Sequence, residues 1–134
     1  ILAGAKKAFL LAAGAAMQKY REKLADQQEI VAALSDVVIE IYVMESALVR
    51  AMKTAPSPET NPAMAAAARL LIEEGLTRIE TSARTAMAAS VEGDMLRTQL
   101  AVLRRFLKRE PADTIALHRI IADAVESQNR YPFN

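Results

Sequence analysis

The stretch Ile30-Val31-Ala32-Ala33-Leu34-Ser35-Asp36-Val37-Val38-Ile39-Glu40-Ile41-Tyr42-Val43-Met44-Glu45-Ser46-Ala47-Leu48 decides the fold. Within it Ile30, Leu34, Val37, Ile41, Met44 and Leu48 recur at alternating steps of four and three. That spacing lines up side chains along one face of an α-helix and scatters them over both faces of a strand. Val31, Val38, Tyr42 and Val49 lie beside this heptad seam and are expected to widen it into the stripe that a bundle helix buries. Asp26 is the expected N-cap, with Glu29 three residues on as an acidic variant of the capping box. The helix is expected to end near Met52 or Lys53.

Working outward, Thr54-Ala55-Pro56-Ser57-Pro58-Glu59-Thr60-Asn61-Pro62 holds three prolines and reads as a loop. Asn61 then caps a third helix, with Pro62 at the first helical position, where its missing N–H costs nothing. Its seam of Ala68, Ile72, Gly75, Ile79, Ser82 and Ala86 is built mostly from small residues, so a neighbour, expected to be a side chain near Val37 or Ile41, can approach closely. Glu92-Gly93-Asp94 supplies a terminating glycine and a new cap for helix 4. Its inward residues are expected to be Leu96, Leu100, Leu103 and Leu107, with Met95, Val102 and Phe106 beside them, and Pro111 as its stop. Asp113 caps a short helix 5 carrying Ile115, Leu117, Ile120, Ile121, Ala124 and Val125. Upstream, the first helix is expected from Leu2 to Ala25, with Leu2, Phe9, Ala13, Ala16, Tyr20 and Leu24 inward. The expected class is therefore all-α, an up-down helical bundle of four main helices with a short fifth, forming one domain over residues 1–134.

Composition agrees. Apolar residues make up 52% but aromatics only 4%, so the core is aliphatic and rich in helix formers. Lys6-Lys7 ahead of Ala8-Phe9-Leu10-Leu11 imitates a secretory signal, but the apolar phase runs on to Tyr20 and Leu24, as in a bundle helix. The chain starts at Ile1, which suggests a fragment of a longer protein. The net charge of +1 gives no field to recruit nucleic acid. Residues 1–25 and 94–110 are net basic, while 26–58 and 59–93 are net acidic, the pattern of helices that complement one another. The chain has no cysteine, which rules out thiolate chemistry and disulfides and is compatible with a bacterial cytoplasmic or a mitochondrial matrix or inner-membrane-face location.

His118 is the single histidine, and Ile115 stands where a Glu-x-x-His di-iron motif needs its glutamate, which excludes that site. As a phosphotransfer residue His118 has the wrong neighbours, Leu117 and Arg119. Asp36 and Glu40 are one helical turn apart and could share a face, with Arg50 and Arg84 as candidate ion partners. Arg97, Arg104 and Lys108 line one face of helix 4, with Arg105 and Arg109 on the next. This face could meet a phosphate or an anionic membrane, but a solvated basic face is favoured. Gly4, Gly14, Gly75 and Gly93 are too scattered to form a phosphate loop. The residues therefore point to no catalytic, cofactor or metal site in this chain.

The run Leu34 to Ala51, the segment Ala66-Ala67-Ala68-Arg69, the run Glu92-Gly93-Asp94-Met95-Leu96-Arg97-Thr98-Gln99-Leu100 and the ending Arg130-Tyr131-Pro132-Phe133 together resemble the C-terminal extension of acyl-CoA dehydrogenases. The likeness is to the very-long-chain type and its bacterial relatives. It implies a parent flavoenzyme that introduces a double bond into fatty acyl-CoA thioesters in fatty acid β-oxidation. Its FAD and catalytic carboxylate would lie upstream, and no residue here matches them. It also implies a helical bundle resembling a degenerate second copy of the enzyme's own helical domain. That bundle would pack on the catalytic domains of the same chain and occupy the surface where tetrameric members pair, leaving the parent a homodimer. Membrane association in such enzymes runs largely through an upstream segment. A stand-alone helical adaptor binding a partner along the small-residue seam is the other expectation, and a phosphotransfer module built on His118 a third.

Overall fold

The computed structural model describes residues 1–54, 57, 59 and 61–133. Ala55, Pro56, Pro58 and Thr60 of the expected proline loop lie outside the described residues, as does Asn134. The chain is all-α, as the periodicity indicates. Its helices are α1 (Leu2–Tyr20), α2 (Gln28–Thr54), α3 (Pro62–Ser90), α4 (Gly93–Phe106) and α5 (Thr114–Gln128), with a 3-10 helix over Arg21–Asp26. The residues group into two compact units, one of Ile1–Tyr42 with Leu76–Arg109 and one of Val43–Gly75 with Glu110–Asn134.

In the first unit, α1 turns Ala5, Ala8, Ala12, Ala15 and Ala16 inward. The larger Leu2, Phe9, Tyr20 and Leu24, expected to be the core, are only half-buried at its flanks. The correction has a steric cause. Gly4 packs against the backbone of Phe106 at the end of α4, and a Cβ at position 4 would fall on the Phe106 carbonyl oxygen. Helices that meet this closely can place only small side chains between them, so the alanine face wins the interior and bulk is pushed aside. The same contact sets the start of α1 beside the end of α4. At its other end, the Lys19 ammonium and the Tyr20 hydroxyl both donate to the Ala89 carbonyl, at 2.8 and 2.7 Å. This satisfies one of the orphan acceptors in the last turn of α3.

Helix α1 stops at Tyr20 rather than Ala25, because Arg21 adopts φ 50° and ψ −122°. The 3-10 turn follows, and the Gln27 carbonyl, not Asp26, opens α2 by accepting from Ile30 and Val31 at 3.1 and 3.0 Å. Ile30, Leu34, Val37 and Ile41 of the α2 seam are buried as expected, facing a core completed by Leu76, Ile79, Ala83, Ala86, Met87, Leu103 and Leu107. Helix α4 begins one residue earlier than Asp94, with Glu92 as N-cap and Gly93 at φ 60°, a left-handed turn that favours glycine. It ends at Phe106, before Pro111 can act, and Met95 is exposed rather than beside the core.

In the second unit, Ala51, Met64 and Ala68 form a buried cluster against which Phe133 packs. Asn61 caps α3 as expected, its side-chain oxygen accepting from the Met64 N–H at 3.0 Å. Its amide nitrogen donates to the Pro132 carbonyl at 3.5 Å, and Arg50 donates to the Phe133 carbonyl at 3.1 Å. The ending is thus pinned to the helices it follows. Gly75 is buried on α3. Asp113 caps α5 by accepting from the Ala116 N–H at 3.0 Å. No residue of α5 is fully buried: Leu117, Ile121 and Ala124 are half-buried, and Ile115, Ile120 and Val125 are exposed.

Candidate functional site

Helix α2 is apolar on two sides. One side is the seam in the core. The other carries Val31, Val38, Ile39 and Tyr42, with Val38 46%, Ile39 56% and Tyr42 71% exposed. Val31, Val38 and Tyr42 were expected to widen the core stripe, and in the second unit Val49 is likewise exposed. They fail to do so because a core this narrow, closed by alanines on α1, covers little more than the seam itself. The signal was present in the sequence: the apolar residues of α2 spread over more of its circumference than one core-facing stripe needs.

On the first unit Val31, Val38 and Ile39 share a groove with α1. Phe9, Ala13, Met17 and Leu24 join Val31, Leu34, Val38 and Ile39 around an open apolar groove of about 440 Å³. Met17 is 61% exposed at its edge. Burying one aliphatic or aromatic side chain of this kind is worth about 1.5–3 kcal/mol, so a face carrying several of them is a candidate binding surface.

Beside it runs a second groove of about 400 Å³, lined by Asp36, Ile39, Glu40, Thr77, Arg78, Thr81 and Ser82 and so richer in polar side chains than the first. Ile39 borders both. Arg78 grips Glu40 with two parallel bonds, Nε to Oε1 at 2.6 Å and Nη2 to Oε2 at 3.1 Å, the fork geometry that suits guanidinium and carboxylate. Thr81 donates to the Thr77 carbonyl at 3.0 Å, and the Thr77 hydroxyl accepts from Arg109 at 3.2 Å. Asp36 and Glu40 do share a face, as the sequence indicated, but as an edge of this groove. Glu40 is committed to Arg78, while Asp36 is exposed and makes no hydrogen bond or ion pair with the described residues. An acid–base pair needs two carboxyls able to reach a substrate, and here one is already gripped. What the arrangement offers is an apolar patch with one acidic handle at its rim.

The other singled-out residues are placed elsewhere. Arg50 holds the Phe133 carbonyl and Arg84 lies 3.8 Å from Glu80, so neither partners Asp36 or Glu40. His118 is exposed on α5 with Nδ1 2.6 Å from the Thr114 carbonyl one turn back, which engages that nitrogen within its own helix. Arg97 pairs with Asp94 at 3.1 Å, Lys108 is exposed past the end of α4, and Arg104 and Arg105 are exposed in its last turn. There the two arginines complement the negative end of the helix. Lys7 lies 5.9 Å from the centre of the Phe106 ring. Among the described residues no group of histidine, aspartate and glutamate could hold a metal ion, and no helix is long and apolar enough to cross a membrane.

Residues 4–105 match the family described as acyl-CoA dehydrogenase, C-terminal domain. The chain is 33% identical over 133 residues to a "Probable acyl-CoA dehydrogenase" of Bacillus subtilis (strain 168), covering 98% of this chain and 22% of that protein. It superposes on a crystal structure of an acyl-CoA dehydrogenase complexed with FAD from Bacillus anthracis with a TM-score of 0.91 and 35% identity, covering 97% of this chain and 23% of that one. The chain thus spans less than a quarter of either relative.

Proposed function

Because the chain belongs to the acyl-CoA dehydrogenase C-terminal domain family, we propose that it is the non-catalytic accessory domain of an FAD-dependent acyl-CoA dehydrogenase. The parent introduces the α,β double bond of a fatty acyl-CoA on domains other than this one, and it assembles as a homodimer. One observation carries the accessory role: α2 exposes Val38, Ile39 and Tyr42 on the side away from its core, which a domain working alone would leave in water at a cost. The relatives offer the cover, since more than three-quarters of each lies outside the matched part. Two of the side chains suited to acid–base work are engaged in structural contacts, Glu40 with Arg78 and His118 with its own helix.

The test uses the full reading frame that contains this sequence. The purified product is expected to be yellow, to bleach on addition of a fatty acyl-CoA, and to sediment as a dimer. In it, His118→Ala and Arg104→Ala are expected to leave flavin content and the rate of bleaching within about twofold of the parent, as surface changes away from chemistry do. A loss of more than about tenfold in rate at either position, with the fold intact, refutes the non-catalytic assignment. A full-length product without flavin refutes the parent activity and leaves the adaptor reading.

A further inference from the structure

We propose that the outward face of α2 in the first unit, centred on Val38, Ile39 and Tyr42, is the surface on which the flavoprotein part of the same polypeptide docks, and that this partner presents a cation to Asp36. The assignment rests on the accessory-domain reading and adds to it a face, an occupant and a charge. The groove between α1 and α2 is nearly free of polar atoms, with Ser35 its one hydroxyl. It continues across Ile39 into a rim of Asp36, Glu40 and Arg78. An apolar centre with a polar edge is the anatomy of a protein interface.

The rim chooses among occupants. Lipid surfaces that attract helices are anionic, and the helices that lie on them are fringed with lysine and arginine. Here the free group at the edge is the Asp36 carboxylate, and the cations beside it are already engaged, Arg78 with Glu40 and Arg109 with Thr77. A second copy docking through the same face would bring a second unpaired carboxylate and only cations that are already engaged, since a two-fold interface sets a patch against itself. A different surface, apolar with an arginine or lysine, fits both features. Because the matched part is only 22–23% of the relatives' length, such a surface is available on the same chain, where the linkage itself raises its effective concentration.

The experiment exploits the absence of cysteine from this chain. Single variants Ile39→Cys and Tyr42→Cys are made in the full-length protein, and alkylation at the introduced thiol is followed by peptide mass spectrometry, in native buffer and in urea. Both side chains stand largely in solvent here, so neither change touches the core, and the second variant guards against a fault peculiar to the first. Native labelling is expected to be at least about tenfold slower than in urea at both positions and independent of protein concentration, because a docked interface core is dry. Asp36→Lys is expected to raise the native labelling rate at position 39 by about threefold or more, as a repulsive rim does to docking.

Labelling within about threefold of the unfolded rate at both positions overturns the docking face. Protection that vanishes on dilution shows that the occupant is a second copy and overturns the assigned partner. Protection that Asp36→Lys leaves unchanged overturns the cation opposite Asp36. Flavin absorbance and bleaching by a fatty acyl-CoA are recorded on the same samples. A yellow, active protein whose thiols label freely sinks only the face, whereas a colourless, inactive one sinks the accessory-domain reading beneath it.

Discussion

Two glycines on one helix give a test in which the sign of the effect decides. Gly4 and Gly14 both lie on α1, and helix propensity treats their replacement by alanine alike, as a gain approaching 1 kcal/mol in a helix interior. Tertiary structure separates them. A Cβ at position 14 would meet nothing within 4 Å. At position 4 it would strike the Phe106 carbonyl oxygen, with the carbonyl carbon 3.2 Å away. Both are backbone atoms that no rotamer change can move, so the helices must part or the first turn of α1 must unwind. Forced overpacking of this kind costs about 1–3 kcal/mol, and the propensity gain is smaller near a helix start than in its interior.

Gly4→Ala is therefore expected to destabilise by about 1–2 kcal/mol net, and Gly14→Ala to stabilise by about 0.5–1 kcal/mol. Urea denaturation of the 134-residue chain followed by helical circular dichroism measures both. With a slope of roughly 1–3 kcal/mol per M, the midpoints should move in opposite directions by some tenths of a molar unit or more. If Gly4→Ala raises the midpoint as Gly14→Ala does, the close approach of α1 to α4 is wrong, and with it the reason given for the alanine core.

Three further outcomes are expected. Arg21 sits at φ 50° and ψ −122°, so Arg21→Gly should raise the thermal midpoint by the equivalent of about 1 kcal/mol, and a fall would mean that the side chain secures the turn. Ile41→Ala should cost about 2–5 kcal/mol in denaturant titration while its neighbour Tyr42→Ala changes stability by less than about 0.5 kcal/mol, and equal costs would show the two faces of α2 misassigned. Asn61→Ala should cost about 1 kcal/mol through the lost cap, and Phe133→Ala about 2 kcal/mol through the Ala51–Met64–Ala68 cluster, with hydrogen exchange of the first turn of α3 accelerated in both; unchanged exchange would detach the ending from that turn.

Much of this protein is legible in its sequence. The four-three spacing from Ile30 to Met44 named the buried seam of α2, since those positions share a face at any helical geometry. Asn61 and Asp113 were readable as caps because capping is a contact within three residues of chain. The family likeness rested on similarly local signatures. What the sequence could not supply was which of several possible faces another element would cover. On α1, hydrophobicity pointed to Phe9 and Tyr20, yet the alanines face inward because Gly4 lets the backbone of α4 come close. Glu40 found Arg78 rather than Arg50 or Arg84 because packing of α2 beside α3 in the first unit brings together residues 38 positions apart. On α2, Val31, Val38 and Tyr42 read equally well as core and as interface. Periodicity fixes which side chains share a face, but whether that face meets another helix or solvent depends on packing between segments distant in the chain, and only the tertiary structure decides that.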